Sequence, residues 1–189
     1  MSVHLISADE AMAKLDQFDA ILDARSEGEH AEDHLPGAQS WPSLNNEERI
    51  RVGTLYKQVS PFDAQKIGAA LVAKNIARHI ETHVMDKPKN WQPLIYCWRG
   101  GKRSNSLALI LGQIGFKVHL IEGGYKAFRK AVMEDTPRQA QRLQFQVLCG
   151  PTGSGKTRLL QALAQEGAQV LDLEAIAVHR SSVLGLIPG

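Results

Sequence analysis

The sequence contains only two cysteines, Cys97 and Cys149, which form neither a CxxC pair nor a disulfide framework. Such scarcity is typical of a reducing compartment, so we expect a cytoplasmic protein. The first residues, MSVHLISADEAM, lack the basic and apolar segments of a secretory signal peptide. No apolar run approaches the ~20 residues that cross a bilayer, and we therefore expect no membrane association.

An excess of charge of one sign is also missing. The chain has 22 basic and 20 acidic residues, which gives a formal net charge of +2 at pH 7. This balance permits nucleic-acid binding but does not argue for it. With 43% hydrophobic and 22% charged residues, the composition is that of an ordinary globular protein.

Short apolar runs alternate with helical patterns over the first 138 residues. This alternation predicts an α/β fold with a central parallel sheet flanked by helices. Residues 45–85 are predicted to be helical, with Ser60 as the N-cap before Pro61, and a later helix is predicted to end at Gly115. The predicted strands are VHLI from residue 3, AILDA from residue 20, PLIYC from residue 93 and KVHLIEGG from residue 117.

The segment LIYCWRGGKRS, residues 94–104, places Cys97 at the end of a predicted strand and before a helix. The loop between them contains two glycines and three cations, which are Gly100, Gly101, Arg99, Lys102 and Arg103. Inward backbone N–H groups, the helix dipole and the cations all favour thiolate over thiol, so Cys97 is a candidate nucleophile. The same loop could bind an anion such as phosphate, thiosulfate or selenophosphate.

Other interpretations of the cysteines stay open. Five residues separate Cys97 from Arg103, which is also the spacing of cysteine-dependent phosphatases, although Tyr96 stands where those enzymes usually have histidine. A buried, inert cysteine is the plain alternative for Cys97, and it is the interpretation we prefer for Cys149. His79 and His83 have a spacing that can bind a metal, but no third ligand is apparent, so we expect a solvated pair and no metal site.

A second motif, GPTGSGKT, begins at Gly150 and fits the phosphate-binding P-loop pattern. An apolar run at residues 145–148 is the predicted strand before it, and a helix is predicted after it. In this motif glycine N–H groups face a diphosphate, the lysine contacts its oxygens and the threonine can bind Mg²⁺. The candidate residues are Gly150, Gly153, Ser154, Gly155, Lys156 and Thr157. Asp172 is a candidate metal ligand or a helix cap.

These two motifs define the predicted domain organisation. The first domain is predicted at residues 1–138 and a polar linker at residues 139–144, within a stretch that contains Pro137. Residues 145–189 would then form the start of a P-loop α/β domain. Because this region has only 45 residues, we expect it to be C-terminally truncated.

Three separated segments resemble rhodanese-like domains. They are Asp23 and Arg25, followed by His34 with the turn Pro36–Gly37–Ala38; the Cys97 loop; and Glu122–Gly123–Gly124–Tyr125. Together with GPTGSGKT, the order resembles the bacterial tRNA 2-selenouridine synthase family, as does the stretch at residues 172–185. The Cys97 loop departs from ordinary rhodanese loops, because five residues separate its cysteine from the arginine instead of four. The wider loop suggests a larger acceptor atom or a different donor.

The family resemblance implies a two-stage reaction on wobble 2-thiouridine of tRNA. Its sulfur would be alkylated from geranyl diphosphate, and selenium from selenophosphate would then replace the geranylthio group. Cys97 would carry selenium as a selanylsulfide, while the P-loop would hold the diphosphate of geranyl diphosphate, or ATP, with Mg²⁺. No tightly bound cofactor is implied, and the partners would be tRNA and a selenophosphate synthetase. Candidate RNA contacts are Trp98, Lys126, Arg129 and Lys130.

Three hypotheses therefore remain from the sequence. The first is a selenium-transferring tRNA-modifying enzyme. The second is a rhodanese-type sulfurtransferase or a phosphatase that uses only the Cys97 loop, and the P-loop argues against it because neither activity needs one. The third is a non-catalytic fragment that binds tRNA or another partner.

Overall fold

The computed structural model describes residues 3–151 and 153–176. The strands are β1 Val3–Ile6, β2 Ala20–Asp23, β3 Ala38–Ser40, β4 Pro93–Tyr96 and β5 Val118–Ile121, and the helices are α1 Ala8–Ala13, α2 Glu27–Glu32, α3 Asn46–Gln58, α4 Pro61–His83, α5 Lys102–Ile114, α6 Gly124–Ala140, α7 Lys156–Gln165 and α8 Leu173–Ile176. The chain divides into two compact units, residues 1–140 and 141–189.

The first unit is built on a five-stranded sheet in the order β1-β5-β4-β2-β3, and all its neighbouring pairs are parallel. This confirms the predicted α/β architecture. Successive side chains of a strand point to opposite faces, so the side chains of β4 contribute to a hydrophobic core on each face of the sheet. Leu94 and Tyr96 pack with Phe128 on one face, whereas Ile95 packs with Leu107 on the other face.

The helix ends follow the local sequence signals. Ser60 Oγ accepts a hydrogen bond from the backbone N–H of Asp63 at 3.2 Å, and Pro61 occupies the first turn of α4. Gly115 ends α5 with φ of +117°, a conformation that glycine adopts without strain. Within the described residues, no helix combines the length and the apolar character that a membrane span requires.

The end of the first unit differs from the sequence-based prediction. Helix α6 continues through Pro137 to Ala140, so the first two residues of the predicted linker 139–144 are helical. Pro137 is tolerated there because a proline removes only one N–H from the helical hydrogen bonds and this last turn is exposed.

The strand predicted at residues 145–148 is wrong, because the described part of residues 141–176 contains no strand. A strand needs a hydrogen-bonded neighbour, and this part of the second unit supplies none. Cys149 is exposed, so its predicted place in a core is also wrong. The stretch at residues 172–185 lies outside the described residues from residue 177 onward.

Candidate active site

Cys97 follows directly after β4, and its sulfur is held by the first turn of α5. Its Sγ accepts hydrogen bonds from the backbone N–H of Gly101 at 3.1 Å and from the hydroxyl of Ser104 at 3.0 Å. Only 3% of the residue is exposed. The first turn of α5 therefore holds the sulfur in place through two donors, in a geometry that suits a nucleophile.

The N-terminus of α6 holds the Cys97 loop through backbone hydrogen bonds. The backbone N–H of Tyr125 donates to the Cys97 carbonyl at 2.8 Å, and that of Lys126 donates to the Trp98 carbonyl at 3.1 Å. A Cβ on Gly124 would collide with the Cys97 carbonyl oxygen and would lie 2.7 Å from the Gly100 nitrogen. The start of α6 and the cysteine loop therefore fit together only because Gly124 has no side chain.

A buried ion pair lies next to this loop. Arg25 and Asp23 are 1% and 0% exposed, and the Arg25 guanidinium contacts Asp23 Oδ2 at 2.7 Å. The Tyr96 hydroxyl donates to the same carboxylate at 2.9 Å, and His30 Nδ1 lies 3.1 Å from it. Burial and the neighbouring Asp23 carboxylate raise the pKa of Tyr96, which keeps its hydroxyl protonated as a donor. The network fixes the end of β2 beside the end of β4.

Two aromatic rings stack outward from Arg25. The Arg25 guanidinium lies 4.1 Å from the centre of the Tyr125 ring, and that ring stacks on Trp98 with centroids 5.4 Å apart. The Tyr125 hydroxyl donates to Asp33, and burial together with this bond raises the pKa of Tyr125. Trp98 is 40% exposed at the outer end, so its free face could stack on a nucleobase.

The three predicted anion-binding cations differ in their surroundings. Arg99 and Lys102 are exposed and form no ion pair with any residue that the structure describes. Arg103 instead contacts Glu29 at 2.7 Å, and Arg49 contacts the same carboxylate at 3.2 Å. The structure thus leaves two free cations at the loop and gives the third a carboxylate partner.

Glu29 is a site residue that the sequence analysis missed. Burial alone would raise its pKa, but bonds from Arg103 and the Ser26 backbone, with the charges of Arg103 and Arg49, lower it to about 2. Ser104 was missed as well. Its position, seven residues after Cys97 in the first helical turn, was the available signal, whereas nothing in the sequence indicates that Glu29 meets Arg103.

The remaining predicted RNA contacts lie on α6. Lys126, Arg129 and Lys130 are exposed at spacings of three and four residues, so they share one helix face. Lys130 lies 3.6 Å from Glu134, an exposed pair. Lys126 follows Tyr125, and its backbone holds Trp98, which brings this helix face close to the Cys97 loop.

The P-loop residues form a compact turn in the second unit. Gly153 and Gly155 have φ of +81° and +79°, and a Cβ on Gly150 would lie 2.8 Å from Ser154 Oγ. Lys156 Nζ donates to the carbonyls of Gly150 and Pro151 at 2.8 Å each, so its ammonium lies against the loop. Thr157 is exposed in the first turn of α7. Residues of these types could hold a diphosphate and Mg²⁺, as the sequence predicts.

Two other candidates have structural roles. Asp172 Oδ1 accepts hydrogen bonds from the backbone N–H groups of Glu174 and Ala175, so it caps α8. The prediction that His79 is solvated is wrong. It is 7% exposed, lies 3.0 Å from the Pro42 carbonyl through Nε2 and stacks on Trp41. His79 lies on the buried face of α4 with Ile76, and its ring packs beside Trp41 in the core.

The comparisons with known proteins agree with this geometry. Residues 7–131, well over half of the chain, match the model of the rhodanese-like domain. The chain therefore belongs to the rhodanese-like domain family. A crystal structure of the N-terminal domain of a Clostridium difficile 630 protein is 35% identical, with a TM-score of 0.59 over 68% of this chain and 98% of that one.

The particular relatives confirm the resemblance to tRNA 2-selenouridine synthases. Residues 143–188 match the model of the tRNA 2-selenouridine synthase AAA domain. The tRNA 2-selenouridine synthase of Nitrosomonas europaea is 38% identical over 87% of this chain and 43% of its own length. That of Bdellovibrio bacteriovorus is 34% identical over 98% of this chain and 48% of its own length. The chain spans about half the length of the curated relatives that it matches.

Proposed function

We propose that this chain contributes the selenium-transfer site of a tRNA-modifying transferase that converts wobble 2-thiouridine to 2-selenouridine. The observation that carries the proposal is the Cys97 sulfur, which accepts bonds from Gly101 and Ser104 beside two free cations. Arg99 and Lys102 would attract anionic selenophosphate, and Cys97 would carry the selenium. The names of the relatives support this choice over other rhodanese-type activities.

The second unit would serve the preceding alkylation in the proposed reaction. The P-loop would hold the diphosphate of geranyl diphosphate through its backbone N–H groups and Lys156, and Thr157 would bind Mg²⁺. The geranyl group would activate the thiouridine sulfur as a leaving group. ATP presents the same phosphate chemistry, so the two ligands are separated by titration. A selenophosphate synthetase would supply the donor in the cytoplasm.

RNA recognition would use the surface around the Cys97 loop. Trp98 would stack on an exposed base, and Lys126, Arg129 and Lys130 would contact phosphates along α6. The proposed base position is close to the sulfur because Trp98 is the residue after Cys97.

The phosphatase alternative is disfavoured by a specific contact. A phosphatase of this spacing needs its arginine to bind the phosphate above the cysteine, but Arg103 is bound to the low-pKa carboxylate of Glu29. The selenium-transfer proposal uses the exposed Arg99 and Lys102 instead.

The proposal predicts different blocks for two variants. In cells that express a full-length protein containing this sequence, Cys97→Ser should stop selenation and let S-geranyl-2-thiouridine accumulate, because a hydroxyl cannot carry selenium. Lys156→Ala should instead leave unalkylated 2-thiouridine. Mass spectrometry of tRNA nucleosides measures both. An identical block in the two variants would contradict the division of labour, and normal 2-selenouridine in Cys97→Ser would contradict the proposed function.

A further inference from the structure

An apolar cleft opens on the outer side of the first unit, between α3, α4 and α5. Its volume is about 890 Å³, which is in the range of small-molecule binding sites. The larger apolar side chains that line it include Val52, Tyr56, Val72, Ile76, Leu109 and Ile110, and the uncharged polar residues Gln65, Asn105 and Ser106 line it as well. Tyr56 and Leu109 are 53% and 46% exposed, so the protein leaves part of this apolar lining in contact with water.

Small residues on α4 keep the cleft open. Ala64, Gly68, Ala69 and Ala73 form the α4 side of the lining, and of these Ala69 and Ala73 are exposed, whereas a Cβ on Gly68 would lie 3.3 Å from Val52 of α3. The α4 lining runs from Ala64 to Ile76, which at about 1.5 Å per residue extends for about 18 Å. The shape is therefore elongated and suits a chain-like apolar ligand.

The cleft shares the first turn of α5 with the candidate active site. Lys102 and Arg103 line the cleft, and Ser104 beside them donates to the Cys97 sulfur. Of the two cations that line the cleft, Lys102 is exposed and has no ion-pair partner among the described residues, whereas Arg103 is paired with Glu29. An occupant of this cleft would thus have an apolar part along α4 and α5 and an anionic part near the cysteine loop.

We propose that this cleft binds the isoprenoid chain carried on the sulfur of the modified uridine, while Lys102 contacts a phosphate of the same RNA. The inference rests on the proposed function and adds a binding site for the geranyl group in the rhodanese-like unit. A hydrocarbon chain suits the lining because it brings no polar groups that would need partners. Charge complementarity at Lys102 favours a nucleotide-linked chain over an apolar segment of a protein.

Binding to the chain with this sequence tests the cleft directly. The probes are S-geranyl-2-thiouridine 5′-monophosphate and its S-methyl analogue, measured by calorimetric titration. Burial of much of the chain should make the geranyl compound bind on the order of a hundredfold more tightly. Ala69→Phe, which fills the cleft, should weaken its binding at least tenfold. The matched control is Ala70→Phe, an exposed neighbour outside the lining, which should change the affinity less than twofold.

A second pair of variants guards against misfolding of the first. Leu109→Gln removes an apolar lining side chain, and the control is Ile114→Gln, which is 51% exposed on α5 outside the lining. Equal affinities for the two probes would overturn the proposal, as would unchanged geranyl affinity in Leu109→Gln. If the wild type is a dimer that Ala69→Phe converts to a monomer, without geranyl preference, the cleft belongs to a second copy.

The binding test of the cleft and the Cys97→Ser test of the proposed function can fail independently of each other. Cleft-dependent binding of the geranyl probe would stand even if Cys97→Ser cells still made 2-selenouridine. Selenation that depends on Cys97, together with equal binding of both probes, would reject the cleft and keep the proposed function.

Discussion

Among the described side chains, that of Ser104 donates a hydrogen bond to the Cys97 sulfur. Its hydroxyl is completely buried and lies 3.0 Å from Sγ, so water cannot easily replace it as a donor. It is a positioning residue, because it acts on the Cys97 sulfur through this hydrogen bond.

Ser104→Ala should slow alkylation of Cys97 by iodoacetamide about three- to tenfold, because one hydrogen bond to the thiolate is lost. The measurement uses a Cys149→Ser background, since Cys149 is exposed and would also react. Ser106→Ala is the matched control, because the Ser106 hydroxyl donates to the Lys102 carbonyl instead. An unchanged rate in Ser104→Ala would show that the bond does not support the thiolate.

The place of Cys97 between a strand and a helix could be predicted from the sequence, but the partners of its loop could not. Cys97 is identified by adjacent glycines and cations, which are local features. Arg103 meets Glu29, a residue 74 positions away, and only the folded sheet brings α2 beside α5. Pairing of this kind depends on tertiary structure and leaves no periodic pattern in the sequence.

Among the secondary-structure elements, the junction of β5 and α6 determines the shape of the cysteine loop. Gly124 has φ of +59° and lies directly under the Cys97 carbonyl. The tight contact and the positive φ are separate reasons for glycine at this position.

Gly124→Ala should therefore lower the free energy of unfolding by about 3 kcal/mol or more and should change the alkylation rate of Cys97. Gly115→Ala is the control, because Gly115 has a positive φ but nothing within 4 Å of the added Cβ. It should cost only about 1 kcal/mol and leave Cys97 reactivity unchanged. Urea unfolding measures both, and equal costs would show that the contact with the loop is unimportant.

The buried strands were predictable because parallel strands covered on both faces consist of short apolar runs. Pro93–Tyr96 and Val118–Ile121 illustrate this. The same pattern at residues 145–148 gave a wrong prediction, because an apolar run forms a strand only where neighbouring strands can pair with it. Pairing partners are a property of the fold, and the local sequence does not contain them.

The stability of the whole molecule should depend on pH through its buried histidine. Burial lowers the pKa of His79 below its ordinary 6.5, although the bond to Pro42 acts in the opposite direction. Below pH 6.5 the unfolded chain binds a proton that the folded chain does not, so the stability is complete above pH 6.5 and falls as the pH drops.

Thermal unfolding between pH 7.5 and 5 measures this effect, which is at most about 1.4 kcal/mol per pH unit for one group. His79→Gln should reduce the slope, and His83→Gln should reduce it less, because the charge of His83 is a smaller cause of the lowered pKa of His79 than burial is. Some slope should persist in His79→Gln, because burial also lowers the pKa of His119. A slope that His79→Gln does not alter would assign the acid sensitivity to other groups.

The stack of Trp98 on Tyr125 also gives the molecule an optical reporter. Trp41 and Trp91 are 3% and 5% exposed, whereas Trp98 is 40% exposed and adjoins Cys97. Acrylamide should therefore quench Trp98 fluorescence preferentially, and a base that stacks on its free face should shield it. Occupancy of the loop could then be followed in real time by light emission, without a label attached to the RNA or to the protein.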